Sequence, residues 1–214
     1  MELYLIRHGQ SHNNAHPEEQ RVEDAPLTTL GQEQAALLAN FAKSLRLTRL
    51  ITSPFMRALQ TTDPVRQTTG LQPEIWVDLH EQGGCYAGHI PGQYVGRPGM
   101  THTELAAQFP EFQNVDDIDG DGWWQSKAYE TNADARQRAA RVLDRTRDTF
   151  ALTSERVAFV MHADFMRYFV ACVLDASLRA PHNASVTKIV ISQDESRVEY
   201  FNRTEHLPEQ MKSC

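Results

Sequence analysis

Short apolar runs rich in β-branched and aromatic residues recur along the chain at residues 3–6, 50–51, 75–77, 157–161 and 186–191. Continuous apolar runs of this length are the pattern of strands covered on both faces. Between them the apolar positions are spaced as on helices: residues 31–45, where Ala35, Leu38 and Ala42 share a stripe, then 56–69, 132–152 and 165–174. Strand and helix alternate, which predicts an α/β fold: a three-layer sandwich with a mostly parallel central sheet and helices on both faces. A further run at 198–201 follows the polar stretch Ser192-Gln193-Asp194-Glu195-Ser196, so an antiparallel hairpin is expected at one edge of the sheet.

Residues 83–130 break this rhythm. Eight of the eleven glycines fall there, with three prolines and one helical stretch at 101–109. The segment is expected to be a glycine-rich cap or lid inserted into a single domain covering residues 1–214. A chain of 214 residues is long enough to hide roughly 70% of its unfolded surface, so no disulfide or structural metal is needed.

Composition narrows the function. Hydrophobic residues make up 41%, charged residues 23%, and the mean hydropathy is −0.50, a globular profile. No apolar run approaches the ~18 residues that span a bilayer, and the first strand runs directly into Arg7-His8-Gly9-Gln10, so neither membrane insertion nor secretion is expected. Cys85, Cys172 and Cys214 are widely spaced and form no zinc or disulfide pattern, which predicts a reducing cytoplasm. A net charge of −7 argues against a nucleic-acid partner. Seventeen of the 21 basic residues are arginine, the side chain suited to forked contact with a small anion. A homodimer is left open.

Candidate chemistry gathers after the strands. Arg7 and His8 follow the first, Ser53 and Arg57 the second, Glu81 the third, and His162 the run 157–161. Open α/β sheets bind ligands beyond the carboxyl ends of their strands, so these residues are expected to converge. A neutral, oriented imidazole can attack phosphorus, and arginine beside it would bind the incoming phosphoryl group. Ser53 is placed to cap the helix carrying Arg57 in its first turn.

Arg7-His8-Gly9 with Ser11 and Asn14, Leu27-Thr28 with Gly31 and Gln34-Ala35, residues 53–61, Glu81 and His162 together resemble the histidine phosphatase superfamily, the phosphoglycerate mutase-like proteins. The resemblance runs from Leu3 to about Ile191 and is weakest in the 83–130 insertion. It implies that His8 is the phosphorylated nucleophile and Glu81 the acid/base. It also implies that Arg7, Asn14, Arg57 and His162 hold the phosphoryl oxygens, and that no metal or cofactor takes part. The reaction implied is hydrolysis of a small phosphorylated substrate by a metal-independent phosphatase through phosphohistidine. Two departures bear on this. Ala163-Asp164 stand where glycine commonly follows the second histidine, making Asp164 a rival acid. Gln82-Gly83-Gly84-Cys85-Tyr86 stand where the mutases carry arginine-tyrosine-glycine, which weighs against the mutase alternative. A catalytically silent phospho-ligand or protein-binding module is the alternative from another class; a proton donor such as Glu81 argues against it.

Other signals are expected to be structural. Asp117, Asp119 and Asp121 with Gly122 match the first half of a calcium loop, but Ala128 stands at position 12, where a bidentate glutamate is needed. His8, His12 and His16 have metal-ligand spacing on a helix, which Asn13-Asn14 and Pro17 disfavour. Arg136, Arg138, Arg141, Arg145 and Arg147 read as a solvated helix face. Trp123, Trp124 and Tyr129 suit either a substrate mouth or lid packing, and Cys85 lacks any nucleophile signature.

Overall fold

The computed structural model describes residues 1–214 apart from 115, 117, 175, 177 and 194. In chain order its main elements are β1 (Glu2–Arg7), α1 (His12–Ala15), α2 (Thr29–Leu45), β2 (Arg49–Thr52), α3 (Met56–Thr69) and β3 (Glu74–Ile75). The glycine-rich segment holds the hairpin β4 (Tyr86–Ala87) and β5 (Val95–Gly96), then α4 (His102–Gln108) and β6 (Gln113–Asn114). The chain continues through α5 (Asn132–Phe150), β7 (Arg156–Met161), α6 (Ala163–Ala171), β8 (Val186–Ile191) and β9 (Ser196–Arg203).

Among the described residues, seven strands form the central sheet in the order β6-β3-β2-β7-β1-β8-β9. The five from β6 to β1 are parallel, and β8 and β9 close one edge antiparallel. The mixed edge expected from the sequence is therefore present. Side chains alternate between the faces. Leu3, Leu5, Val157, Phe159 and Met161 join α5 and α6 residues such as Val142, Phe165 and Phe169 in one core. Tyr4, Ile6, Ala158 and Val160 join Leu38, Ala42, Ala58 and Val65 of α2 and α3 in the other. Burial on both faces is why these strands read as unbroken apolar runs instead of alternating ones. A third cluster joins Phe55, Leu59 and Ile75 to Cys85, Met100, Leu105, Trp123 and Trp124, fastening the 83–130 segment to the start of α3.

Three expectations need correction. The third apolar run leaves the sheet after Ile75, and Val77–Leu79 form a single 3-10 turn that carries the chain toward Glu81. The 83–130 segment is not wholly outside the sheet, because Glu74 and Ile75 pair with Gln113 and Asn114 of β6. Arg138 is not on a solvated face: it is 2% exposed and makes a forked pair with Glu130, Nε and Nη2 each donating at 2.7 Å. No helix among the described residues is long and apolar enough to cross a membrane.

The loop after β1 lies against the start of α2 at two glycines. A Cβ on Gly31 would stand 2.0 Å from the Gln10 carbonyl oxygen, and one on Gly9 would stand 2.5 Å from the Gly31 oxygen. Backbone cannot rotate aside as a side chain can. Thr28 caps α2 by accepting the Gly31 amide at 3.1 Å, and its hydroxyl donates to the Gln10 side chain at 2.8 Å. In an open helix position Gly→Ala stabilises by roughly 1 kcal/mol. Here Gly31→Ala is expected to destabilise by about 1 to 3 kcal/mol, the overpacking range. Urea unfolding decides the sign, and an unchanged or raised midpoint would show that the loop yields freely.

Candidate active site

Adjacent parallel strands bring their carboxyl ends to one edge, and the register sets the residues level. Arg7 pairs with Met161, Thr52 with Val160 and Ile75 with Thr52. His8 donates its amide to the Met161 carbonyl at 3.0 Å, and Ser53 donates its own to Val160 at 3.0 Å. His8, Ser53 and His162 therefore emerge side by side, and the 3-10 turn brings Glu81 in from β3. His8 and Glu81 border a cavity of about 410 Å³, whose lining also includes Arg7, Asn14, Arg57 and Asp164; Ser53 and His162 lie buried beneath its wall.

His8 is held at three points. Its Nδ1 is 2.6 Å from the Gly9 carbonyl oxygen, which can only accept, so Nδ1 carries the proton and Nε2 the lone pair. Arg57 Nε donates to that Nε2 at 3.2 Å, consistent with the same tautomer. Asn183 Nδ2 donates to the His8 carbonyl at 3.2 Å. Burial first, then the charges of Arg57 and Arg7, hold the His8 pKa well below its ordinary 6.5, so the ring is neutral.

The cations are buried beside it. Arg7 is 4% exposed; one nitrogen donates to the Pro181 carbonyl, while Nε is buried without a partner among the described residues. Arg57 is 8% exposed, with its guanidinium carbon 4.1 Å from the Phe55 ring centroid. Asn14 uses Oδ1 to accept from Ser11 N, Ser11 Oγ and Asn183 Nδ2 at 2.9 to 3.2 Å, which leaves its NH₂ group to donate elsewhere. His162 is fully buried, with its ring 5.1 Å from that of His8 and Nε2 2.7 Å from Ser53 Oγ. Its Nδ1 has no partner among the described residues. It does not line the cavity, whose wall at that point is Ala163.

Ser53 therefore differs from its expected role. The N-cap position of α3 is Phe55, and the Ser53 hydroxyl sits between the Phe55 amide at 3.3 Å and His162 Nε2. The helix start is instead capped by Asp24, which accepts the Met56 amide at 2.9 Å. Burial pushes the Asp24 carboxyl up to about 6 against the nearby Arg57 charge. Asp24, Asn183 and Thr61, which accepts the Gly9 amide at 3.0 Å, are site residues that sequence reasoning did not single out. Only Thr61 gave a signal, as a member of the 53–61 motif.

Glu81 caps another helix. Its Oε1 accepts the Phe165 and Gln82 amides at 2.9 and 2.8 Å, while Oε2 has the longer contact, 3.3 Å from Asp164 N. Those amides and the α6 dipole favour the anion, yet burial, followed by the Asp164 charge, raises the Glu81 pKa. Asp164 also lines the cavity, but its side chain is 50% exposed and ion-paired to Arg167 at 2.9 Å. Arg138 sets the frame beneath Glu81, donating to the Asp78 and His80 carbonyls at 2.6 and 3.0 Å while paired to Glu130. The Glu130 carbonyl in turn accepts from Gln82 Nε2 at 2.8 Å.

The remaining candidates divide. Trp123 and Trp124 are buried packing, whereas Tyr129 lines the cavity. Cys85 is buried, and its thiol is pushed up to about 12, chiefly by burial. His12 and His16 stack on each other with centroids 3.9 Å apart, on a four-residue helix that His8 does not join. Asp117 lies outside the described residues; Asp119 accepts the Asp121 amide at 2.8 Å.

These residues can be set beside known proteins. The model of the histidine phosphatase superfamily, branch 1, matches residues 3–204, and the chain belongs to that family. Over 70 residues it is 37% identical to the probable phosphoglycerate mutase GpmB of Escherichia coli K12, and 39% identical to that of Cronobacter sakazakii. In each case the match spans 33% of this chain and 33% of the relative. Among solved structures, Bacillus stearothermophilus YhfR superposes with a TM-score of 0.69 at 24% identity, covering 96% of this chain and 98% of that one. A mycobacterial glucosyl-3-phosphoglycerate phosphatase complexed with VO3 gives 0.66 at 21%, covering 95% and 99%. The phosphoserine phosphatase of Entamoeba histolytica with 3-phosphoglyceric acid gives 0.65 at 20%, covering 97% and 99%. At these identities the superpositions establish a shared fold.

Neutral buried histidines make stability depend on pH. Like His8, His80 and His162 have pKa values well below 6.5, burial being the largest cause. Above about 6.5 folded and unfolded rings are both neutral; below it the unfolded chain takes up protons that the fold refuses, so stability falls as pH drops. For one such ring the loss approaches ~1.4 kcal/mol per pH unit. His80→Gln is therefore expected to lose less stability than the parent between pH 6.5 and 5.5. Equal losses in urea titrations would mean that His80 is not held neutral.

Proposed function

We propose that the chain is a metal-independent phosphatase that hydrolyses small phosphate monoesters through phosphohistidine at His8. The carrying observation is the His8 ring: Nδ1 is committed to the Gly9 carbonyl, and the Nε2 lone pair stands beside Arg57 at a cavity that also holds Glu81. That is a nucleophile already in its reactive tautomer. The buried positive charge of Arg7 and Arg57 would meet the phosphoryl oxygens, with the Asn14 NH₂ group as a neutral donor. His162, its ring 5.1 Å from that of His8 and its Nε2 engaged by the Ser53 hydroxyl, would support His8 from beneath the cavity wall. The positive charge a metal would otherwise supply comes from the two guanidinium groups.

In the first half-reaction Nε2 attacks phosphorus, the ester P–O bond breaks, and Glu81 gives its proton to the departing alkoxide. In the second, the Glu81 carboxylate takes a proton from water as the water oxygen attacks phosphorus. The N–P bond breaks, phosphate leaves, and neutral His8 is restored. The raised Glu81 pKa suits the acid step, and the weakly engaged Oε2 is the oxygen for the mobile proton. Asp164, exposed and paired with Arg167, is less suited to it. Residues 83–130 act in this reading as the cap of a single domain, supplying Gly84, Tyr86, His89, Tyr94 and Tyr129 to the cavity wall. The three free cysteines suit a reducing, cytoplasmic setting.

Rapid quench of the enzyme with a phosphate monoester is expected to trap an acid-labile phosphoryl group on His8, and His8→Ala to lose both label and turnover, with activity unaffected by chelators. Glu81→Gln should slow alkyl phosphates by about 10² to 10⁴. It should slow phosphorylation by p-nitrophenyl phosphate much less, because that leaving group needs little protonation. Asp164→Asn should cost less than Glu81→Gln; the reverse order moves the acid to Asp164. Transfer to a second alcohol outrunning phosphate release would establish the mutase alternative instead.

A further inference from the structure

The cavity has an inner half, which the phosphoryl group takes, and an outer half, which meets the rest of the substrate. The outer wall is aromatic. Tyr86, Tyr94 and Tyr129 line it; Tyr94 stacks on Tyr129 with centroids 4.2 Å apart, and Tyr86 stands edge-on to both at 5.2 and 4.9 Å. His89 packs on Tyr86 at 4.7 Å and bonds the Val22 carbonyl at 3.1 Å, tying the wall to the loop before α2. Rings that brace one another offer a large contact surface with little side-chain freedom left to lose.

The acidic groups of the outer half outnumber its cation. Once Arg7 and Arg57 hold a phosphoryl group, Arg21 is the one cation remaining among the described lining residues, and it faces Glu18 at 4.0 Å. Glu23 and Asp164 also line the cavity, and Asp164 has its own partner in Arg167. A second anionic group would therefore enter an outer half where Arg21 stands against Glu18, Glu23 and Asp164, an excess of negative charge that costs affinity. A neutral ring would instead bury its face on the tyrosines.

We propose, building on the phosphatase reading, that this outer half selects phosphate monoesters of neutral, ring-bearing alcohols and discriminates against esters that carry a second anionic group. Four primary alkyl phosphates with comparable leaving groups test it: benzyl phosphate, glucose 6-phosphate, glycerol 1-phosphate and 3-phosphoglycerate. On the full chain, kcat/KM is expected to be highest for one or both ring esters and lowest for 3-phosphoglycerate, the ring esters leading it by about 10-fold or more. Benzyl against glucose 6-phosphate tells whether an apolar or a hydroxylated ring is preferred.

Tyr94→Ala should lower kcat/KM for the better ring ester by about 3- to 10-fold, mainly through KM, and leave the ratio of glycerol 1-phosphate to 3-phosphoglycerate unchanged. Glu23→Lys should move that ratio toward 3-phosphoglycerate by about 3-fold. The ranking on the unsubstituted protein stands whether or not a variant folds. If 3-phosphoglycerate is turned over as well as the ring esters while His8 still becomes phosphorylated, the selectivity is refuted and the phosphatase reading survives. If none of the four is hydrolysed and His8 takes no label, the phosphatase reading fails, and the selectivity with it.

Discussion

The 2.6 Å contact between His8 Nδ1 and the Gly9 carbonyl is the constraint on which the rest of the site depends. It decides which ring nitrogen carries the proton and therefore, in the proposed mechanism, which one attacks. It exists because Gly9 lies flat against Gly31, where a Cβ on either would collide with backbone, and because Thr61 holds the Gly9 amide from α3. Two helices thus act on one carbonyl. The carbonyl then acts on the imidazole, and Arg57, one turn before Thr61 on α3, reads out the result by donating to Nε2. Movement of the Gly9 peptide would change the tautomer before it changed the fold.

A second constraint is charge. Arg7 and Arg57 are nearly buried, and neither has a carboxylate ion-pair partner among the described residues. Desolvating two like charges near each other is costly unless something compensates. Asp24 and Glu81 act on them at longer range, but burial raises the pKa of both acids, which weakens them as counter-ions. Arg138 shows the contrasting case: equally buried, it is fully engaged by Glu130 and two carbonyls. The difference separates an arginine engaged in structure from two whose charge has no ion-pair partner among the described residues, as the proposed phosphate-binding role requires.

Sequence reached the sheet, its edge hairpin and the convergence of Arg7, His8, Arg57, Glu81 and His162 because each depends on local pattern or on the end of a strand. What it missed depends on partners far along the chain. The two-residue strand β6 has no periodicity to detect and exists through pairing with β3. Arg138 sits in a row of arginines at helical spacing, and only tertiary packing shows that this one turns inward to the Asp78 and His80 carbonyls, about 60 residues back. Ser53 looked like a cap because of its place before a helix, but a remote aspartate does that work, freeing the serine for His162. Asn183 has no local signature at all and earns its position through His8 and Asn14.

The two halves of the cavity have different origins in the chain, and this bears on how such a site can change. The inner groups hang from strand ends and helix starts whose positions are fixed by backbone pairing in β1, β2 and β7. The outer wall comes from the glycine-rich segment, where Tyr86 belongs to a two-residue hairpin strand and Tyr94 adjoins its partner. Gly84 at φ +76° lies with its Cα against the Trp124 ring, and Gly88 at φ +75° closes the hairpin turn. Exchanging a tyrosine there disturbs other tyrosines and leaves the sheet untouched, whereas moving His8 by a comparable distance would require β1 to shift against both neighbours. On the proposed reading, reaction chemistry and substrate selection are consequently separable in this fold, with stability resting on the same elements as the chemistry.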